Sequence, residues 1–363
     1  MNYFALSLYL AALCCCADAS AADEYPMLDK AIAAADISAA ESLASNALDQ
    51  LHRNKTSEQK LETFIAVYEK YLKRAQIRRV LVIAIDRSHS QRGGYTYDAV
   101  PLLVRLGHMD ISQRRISFKR AIKATEKKFG KGAIEVGAVL HQIVVGSKFS
   151  RKTFVHIKKA QWLLAQIESP EASRYLADVN YYAGRSRLYF GSSKDAANDL
   201  EQALEYFTST PEIENSEIAA HALAALAYEQ IGDDDKAYTQ LMNAAMKRTK
   251  TGDTGRRPII KPRLNYDSVD AVPNGPGTGA LTGVNAGGAS VKSSFSNGGK
   301  IVYRLVLDEL GRVTDATIIS QSAFGRHYEA AQSAVIGLRF IPDIKDGKLA
   351  QETEIEYGFN FRN

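Results

Sequence analysis

The side chains best suited to metal binding or acid–base chemistry are scattered along this chain. No two of its seven histidines have a spacing suited to joint binding of one metal ion. These are His52, His89, His108, His141, His156, His221 and His327. Three consecutive acids, Asp233 to Asp235, could suggest a cation site, but N-capping and the helix dipole explain them at a turn that opens a helix. We therefore predict no catalytic residue, no metal site and no bound cofactor, and we expect that the protein is not an enzyme.

An apolar segment from Phe4 to Cys16 holds all three cysteines of the chain. It is far shorter than the roughly 20 residues that a membrane-spanning helix requires. Ala19 and Ala21 follow it, in the small-x-small pattern that signal peptidase accepts. We therefore predict a signal peptide over residues 1–21 and a mature chain without cysteine that resides in the periplasm.

Two features of this segment keep other interpretations open. The first three residues include no Lys or Arg, so an uncleaved anchor or a cytoplasmic start remains an alternative. Lipidation of one cysteine is a further alternative. It is disfavoured because the residue before a lipidated cysteine is normally small, and here that residue is Leu13 or another cysteine.

The net charge of +5 conceals an uneven distribution of charge along the chain. Residues 51–160 contain 24 Lys and Arg against 8 Asp and Glu, whereas residues 161–250 contain 8 against 14. The basic residues are either the solvated faces of helices or a surface that attracts an acidic protein or an anionic membrane surface. No nucleic-acid partner is expected, because an exported protein would rarely meet one.

Residues 22–250 are rich in Ala, Leu, Lys and Glu with apolar positions at helical spacing, which predicts a helical domain. A 41-residue repeat is visible near its end. The matching pairs are Gly191 with Gly232, Ala196 with Ala237, Leu200 with Leu241, Ala203 with Ala244, and Pro170 with Pro211. A glycine between two helices, followed by alanines where the helices touch, resembles the tetratricopeptide repeat (TPR). We therefore predict an N-terminal α-solenoid of TPR-like helix hairpins, a class that commonly binds proteins.

Two other stretches are less regular. The apolar, β-branched run from Val80 to Ile85 fits either a buried helix or a strand. Residues 251–299 contain ten Gly and four Pro, which predicts a linker. Within this linker, the segment from Pro258 to Tyr266 is expected to lie extended against the last domain.

Residues 300–363 have the pattern of a small antiparallel sheet covered by one helix. Apolar residues alternate from Ile301 to Leu307, and Gly311 can supply the positive φ of the hairpin turn that follows. A helical spacing runs from Phe324 to Leu338 and ends near Phe340 and Pro342. After a turn at Asp346-Gly347, the last strand places Ile355, Tyr357, Phe359 and Phe361 on one face and Glu354, Glu356 and Asn360 on the other. The predicted fold class is therefore α+β with two domains, the second of ββαβ order.

A family resemblance appears in the same region. The run from Gly299 to Asp308, the segment Gly311 to Ala316, the string Leu338 to Pro342 and the closing Tyr357-Gly358-Phe359 resemble the C-terminal domain of TonB. The resemblance extends from about residue 262 to residue 361. None of these strings is specific alone, and the resemblance depends on the order and spacing of all of them.

The resemblance implies a mode of partner binding. In the TonB family an uncleaved anchor couples the protein to the proton-driven ExbB–ExbD motor, and the C-terminal domain binds an extended segment of an outer-membrane receptor by strand addition. Here a signal peptide and helical repeats replace the anchor and the spacer, which favours an adaptor of TonB-type transport that binds an outer-membrane receptor or other TonB-system components. The implied partner-binding residues are Glu354, Ile355, Glu356, Tyr357, Gly358, Phe359, Asn360 and Phe361.

Two alternatives accompany this interpretation. The protein could be an envelope scaffold that uses its repeats and the small domain for partners unrelated to TonB-dependent transport. The edge of the last strand could also be covered by the segment from Pro258 to Asn265 or by a second copy of the domain.

Overall fold

A computed structural model of the chain describes residues 25–54, 58–147, 151–210, 214–252, 258–259, 299–322 and 326–361. The predicted signal peptide, with Ala19 and Ala21, and most of the predicted linker lie outside these residues. The chain divides into two compact units, Met1–Tyr182 and Ala183–Asn363, so the last helices and the sheet belong to the same unit. The domain boundaries at residues 250 and 299 stay predictions.

Helices make up the described chain as far as residue 252. They are α1 (Pro26–Ala33), α2 (Ile37–Arg53), α3 (Glu58–Tyr68), α4 (Arg74–Arg92), α5 (Val100–Met109), α6 (Arg114–Phe129), α7 (Ile134–Gly146), α8 (Phe154–Leu164), α9 (Pro170–Tyr189), α10 (Ser193–Phe207), α11 (Glu214–Ile231) and α12 (Asp234–Thr251). Short 3-10 turns occur at Glu69–Tyr71, Tyr97–Ala99 and Arg151–Thr153. The run from Val80 to Ile85 lies inside α4, so the helical alternative for this stretch is correct.

The 41-residue repeat corresponds to two helix hairpins. Gly191 joins α9 to α10 and Gly232 joins α11 to α12, and both have φ +79°. The repeated small and apolar positions, Ala196 and Ala237, Leu200 and Leu241, and Ala203 and Ala244, are all at most 2% exposed. Pro170 begins α9, whereas Pro211 lies outside the described residues. A small residue is also required at Gly184, where a Cβ atom would lie 2.5 Å from the Cγ of Leu200.

The sheet follows the repeats in the same unit. Its strands are β1 (Gly299–Leu307), β2 (Val313–Gln321) and β5 (Thr353–Phe361), in the order β2-β1-β5 with antiparallel pairing throughout. Between β2 and β5 come α13 (Arg326–Val335) and a two-stranded hairpin of β3 (Ile344–Lys345) and β4 (Lys348–Leu349). The described chain is therefore a series of TPR-like helix hairpins followed by a small antiparallel sheet, as the sequence predicts at this level.

Gly311 is needed in the β1–β2 turn for two reasons. Its φ is +70°, a conformation that side chains with a Cβ atom rarely adopt. In addition, a Cβ atom at this position would lie 1.9 Å from the backbone oxygen of Phe340. The backbone amide of Phe340 donates a hydrogen bond to the Gly311 carbonyl at 3.0 Å, so the two segments are in direct contact.

Two details differ from the sequence-based prediction. The helix ends at Val335 rather than at Phe340. The chain after it is not helical, because Arg339 forms an antiparallel bridge with Arg312. The turn at Asp346-Gly347 closes the β3–β4 hairpin instead of leading into the last strand, which begins at Thr353.

One face of the sheet and α13 share an apolar core. Its buried members are Ile301, Tyr303, Leu305, Leu307, Val313, Ala331, Val335, Leu338, Phe340, Ile355 and Phe359. Apolar burial of this kind contributes about 25 cal/mol per Å² and is the main term that stabilises the small domain. The core fixes β5 by its inward face and leaves the outward face in solvent.

Candidate functional site

The eight predicted partner-binding residues all lie on β5, at one edge of the sheet. Their burial alternates as expected: Glu354, Glu356 and Asn360 are exposed. Ile355 and Phe359 are each 5% exposed, whereas Tyr357 and Gly358 are half-buried. Phe361 is paired through its backbone with Gly299.

Aromatic contacts hold the inward side of β5 in place. The ring of Tyr357 lies 5.2 Å from that of Phe359 and 5.5 Å from that of Phe340, both edge-on. Tyr303 on β1 contacts Phe359 at 6.0 Å. Burial raises the pKa of both Tyr303 and Tyr357. These side-chain contacts therefore anchor β5 to the rest of the sheet domain.

Two hydrogen bonds of Lys300 on β1 show to which side the backbone N–H and C=O groups of β1 and β5 point. Its carbonyl accepts from the Ser322 amide at 2.8 Å, and its amide donates to the Ser322 hydroxyl at 2.9 Å. Both backbone groups of Lys300 thus face the β2 side. Because direction alternates along an antiparallel strand, Val302, Arg304 and Val306 face β2 as well.

The opposite residues on β5 therefore direct their backbone groups away from β1. Asn360, Gly358, Glu356 and Glu354 stand opposite Lys300, Val302, Arg304 and Val306, respectively. These four pairs are the non-hydrogen-bonded kind, so the four β5 residues direct N–H and C=O to the outer edge. Within the described chain, no strand pairs along this side of β5. The edge has the backbone groups needed to bind an extended peptide.

The two edges of the sheet differ in regularity. The pairing of β5 with β1 runs through nine consecutive residue pairs without a register shift. The pairing of β2 with β1 has shifts between Val302 and Tyr303 and between Val306 and Leu307. Bulges of this kind twist an edge away from further pairing. The bridge between Arg312 and Arg339 also occupies the start of the β2 side, so β5 is the more open edge.

Of the segment that was expected to cover β5, Pro258 to Asn265, the structure describes residues 258–259. Ile259 donates its backbone amide to the carbonyl of Arg339 at 2.8 Å, and its side chain packs against the apolar cluster that includes Leu241 and Ala245. This described part of the segment thus lies on the opposite side of the sheet from β5. Residues 260–265 lie outside the described residues.

Sequence reasoning missed how the sheet domain attaches to the last helix hairpin. The guanidinium of Arg248 on α12 donates to the carbonyls of Ile341 and Pro342 at 2.6 and 3.1 Å and to the Asp343 carboxylate at 2.9 Å. Arg248 is 7% exposed. No sequence pattern connects an arginine in a helix to a loop more than 90 residues later.

Further contacts complete this attachment. The carboxylate of Glu229 on α11 lies 3.4 Å from the guanidinium of Arg339 and 3.8 Å from that of Arg312. An apolar cluster joins the same elements: Ala225, Leu241 and Ala245 from the helices meet Leu310, Ile341, Ile344 and Leu349. The repeats of this unit therefore hold the small domain through both buried charge and apolar contact.

The other candidate chemical groups have structural roles in the described chain. The carboxylate of Asp233 accepts from the Lys236 amide at 3.2 Å and caps α12, as the capping interpretation predicts. Burial lowers the pKa of His108 to about 4 and also lowers those of His156 and His221. Among the residues described, no group of three His, Cys, Asp or Glu side chains could hold a metal ion. Over the same residues, no helix is long and apolar enough to cross a bilayer.

Some of the excess basic charge of residues 51–160 is neutralised within the first unit. Arg78 pairs with Asp110 at 2.5 Å and Lys159 pairs with Glu126 at 2.7 Å. Arg105 pairs with Glu69. Because the region has three times as many basic as acidic residues, most of its basic side chains cannot be neutralised by acids of the same region.

No protein-family model and no curated protein matches the chain. Among solved structures, it is similar to BtubC from P. vanneervenii, with 13% identity over 68% of this chain and 96% of that one, at a TM-score of 0.37. It is also similar to a MamA protein, with 15% identity over 64% and 94% of the two chains, at a TM-score of 0.30. The repeat hairpins define a TPR-like helical-repeat protein, and a small antiparallel sheet follows the repeats.

Proposed function

We propose that this protein is a non-enzymatic, periplasmic adaptor of TonB-type transport that binds an extended segment of a partner protein along the outer edge of β5. The observation that carries the proposal is the regular, outward-directed backbone of Glu354, Glu356, Gly358 and Asn360. Main-chain hydrogen bonds would supply the affinity, so distinctive side chains are not required at this edge.

The attachment of the small domain supports this role. Arg248 and Glu229 tie the domain to the last repeat hairpin, so a segment bound at β5 is held by the same unit as the repeats. TPR-like hairpins are a common surface for protein partners. The two elements together suit a protein that connects one partner to another.

The partner in this proposal is an outer-membrane receptor or another component of the TonB system, as the resemblance of residues 262–361 to the TonB C-terminal domain implies. The alternative is an envelope scaffold that uses the same edge for an unrelated partner. The same strand geometry serves both functions, so the identity of the partner distinguishes them.

The proposal is tested by photo-crosslinking in intact cells. A photo-reactive residue replaces Asn360 on β5, and the matched control replaces Thr317, an exposed residue on β2. We expect crosslinks to an outer-membrane receptor or TonB component from position 360 and none from position 317. Crosslinks to a cell-wall or secretion protein would support the scaffold alternative, and equal yields at both positions would contradict binding at β5.

A further inference from the structure

The basic side chains of α6 fall into two groups: those that contact other residues of the first unit and those on the exposed side of the helix. Those on the flanks of the helix have partners within the first unit: Arg114 donates to the Gly107 carbonyl at 3.1 Å, and Arg120 lies 4.4 Å from the centre of the Tyr95 ring. Lys128 lies 4.5 Å from the centre of the Tyr97 ring. A hydrogen bond or a cation–π contact thus gives each of these three cations a structural role.

The second group forms one outward stripe. Arg115, Lys119, Lys123 and Lys127 follow each other at intervals of four residues, and all four are exposed. Over the residues described, no carboxylate forms a salt bridge with any of them. At 1.5 Å per residue the stripe is about 18 Å long. Like charges at this spacing destabilise a helix slightly, so the stripe is not explained by the stability of α6.

Helix α8 lies beside α6. The Lys159–Glu126 ion pair at 2.7 Å and a contact of 5.6 Å between the rings of Phe118 and His156 hold α8 beside α6. The outward side of α8 carries Lys158 and, one turn to either side, the apolar residues Val155 and Trp162. These two are 70% and 67% exposed, respectively.

This combination of side chains selects the kind of partner. Single exposed apolar residues are common on protein surfaces, but here two of them flank the exposed Lys158 on a helix beside the cationic stripe of α6. Tryptophan favours the boundary between water and lipid, and lysines beside it attract anionic headgroups. Acidic peptide motifs are typically bound by clusters of arginines. Three of the four stripe cations are lysines instead, and an exposed tryptophan lies on the neighbouring helix.

We propose that the α6–α8 face, defined by Arg115, Lys119, Lys123, Lys127, Lys158 and Trp162, docks on an anionic lipid bilayer surface. The cations contact the lipid phosphates, and Trp162 and Val155 enter the headgroup layer. This inference is independent of partner capture at β5, because the two surfaces lie in different units of the chain.

The test uses the fluorescence of Trp162, the only tryptophan of the sequence. The mature chain is mixed with vesicles of phosphatidylcholine alone or with phosphatidylglycerol at a ratio of about 7:3. We expect a blue shift of Trp162 emission and quenching by brominated lipid only with the anionic vesicles. Both signals should weaken in 0.5 M salt. At that concentration the Debye length is only a few Å, so the attraction between the cations and the headgroups is largely screened.

Variants decide whether this face is responsible. Each cation near an anionic surface raises binding roughly fivefold, so Lys119→Gln, Lys123→Gln and Lys127→Gln together should lower vesicle partitioning about a hundredfold. The matched control removes three exposed cations elsewhere in the unit, by Lys30→Gln, Lys70→Gln and Arg79→Gln, and should bind within a few-fold of the unchanged chain.

Three outcomes would overturn the proposal. The first is no blue shift with anionic vesicles, and the second is an equal loss of binding in the two triple variants. The third is binding to polyglutamate, a probe for acidic proteins, without binding to vesicles. In that case the face would bind an acidic protein instead.

Discussion

The guanidinium of Arg248 on α12 lies 2.9 Å from the carboxylate of Asp343 in the loop before β3. The Arg248 side chain is 9% exposed and that of Asp343 is 45% exposed, so the arginine loses most of its hydration. In exchange it donates hydrogen bonds to this carboxylate and to two backbone carbonyls of the same loop. Arg248 thus contributes three hydrogen bonds to the attachment of the sheet domain to the helical repeats.

We predict that Arg248→Met lowers the free energy of unfolding by about 3 kcal/mol, because it leaves two carbonyls without their donor and removes a charge partner. Urea unfolding measures the effect. Lys250→Met, which removes an exposed cation from the same helix, is the control and should change stability by less than about 0.5 kcal/mol. Equal effects of the two variants would show that the Arg248 contacts contribute little.

A second prediction concerns the β1–β2 turn. Gly311→Ala should lower the free energy of unfolding by roughly 2 kcal/mol or more, since it adds a clash with the Phe340 carbonyl to the cost of a positive φ. Gly347→Ala is a matched control: its φ is +73°, but nothing lies within 4 Å of the added Cβ atom. Its cost should be about 1 kcal/mol. Thermal unfolding of both variants tests this difference, and an equal cost would contradict a close approach at residue 340.

The third prediction concerns pH. Burial of His108 lowers its pKa in the folded state from 6.5 to about 4. The unfolded chain therefore binds a proton more readily than the folded chain between these values. Stability should be full above pH 6.5 and fall as the pH drops toward 4, with a loss from His108 of at most about 3 kcal/mol. His156 and His221, whose pKa values are also lowered, act in the same direction.

Replacement of His108 by glutamine, which can still donate to the Gln142 carbonyl, isolates this contribution. Urea unfolding of both proteins at pH 7.5 and pH 4.5 measures it. We expect His108→Gln to lose less stability between the two pH values than the unchanged chain. If both lose the same amount, carboxylates rather than His108 set the acid sensitivity.

Local patterns predicted much of the fold. The matched glycines at residues 191 and 232 indicated helix hairpins because each sits in a turn that needs a positive φ. The alternation from Ile301 to Leu307 and from Glu354 to Asn360 indicated strands with one buried face, and the structure confirms it. These features follow from period and turn chemistry alone.

Contacts between distant residues could not be predicted in this way. The end of α13 at Val335 depends on the bridge between Arg312 and Arg339, and the place of Arg248 depends on a loop far along the chain. For the candidate site, the residues of β5 were predicted. The difference between its two edges was not, because it depends on strand order and on register shifts in β2.

The capture of an extended partner segment by the outer edge of β5 is the central claim, and the backbone amide of Glu356 tests it most directly. Glu356→Pro removes one outward-directed donor, whereas Glu356→Ala keeps this donor and removes only the side chain. Both variants carry the photo-reactive residue at position 360 and are first checked for folding by circular dichroism. We predict that the crosslinked partner is retained in Glu356→Ala and lost in Glu356→Pro. A folded Glu356→Pro variant that crosslinks the partner at full yield would contradict strand addition at this edge.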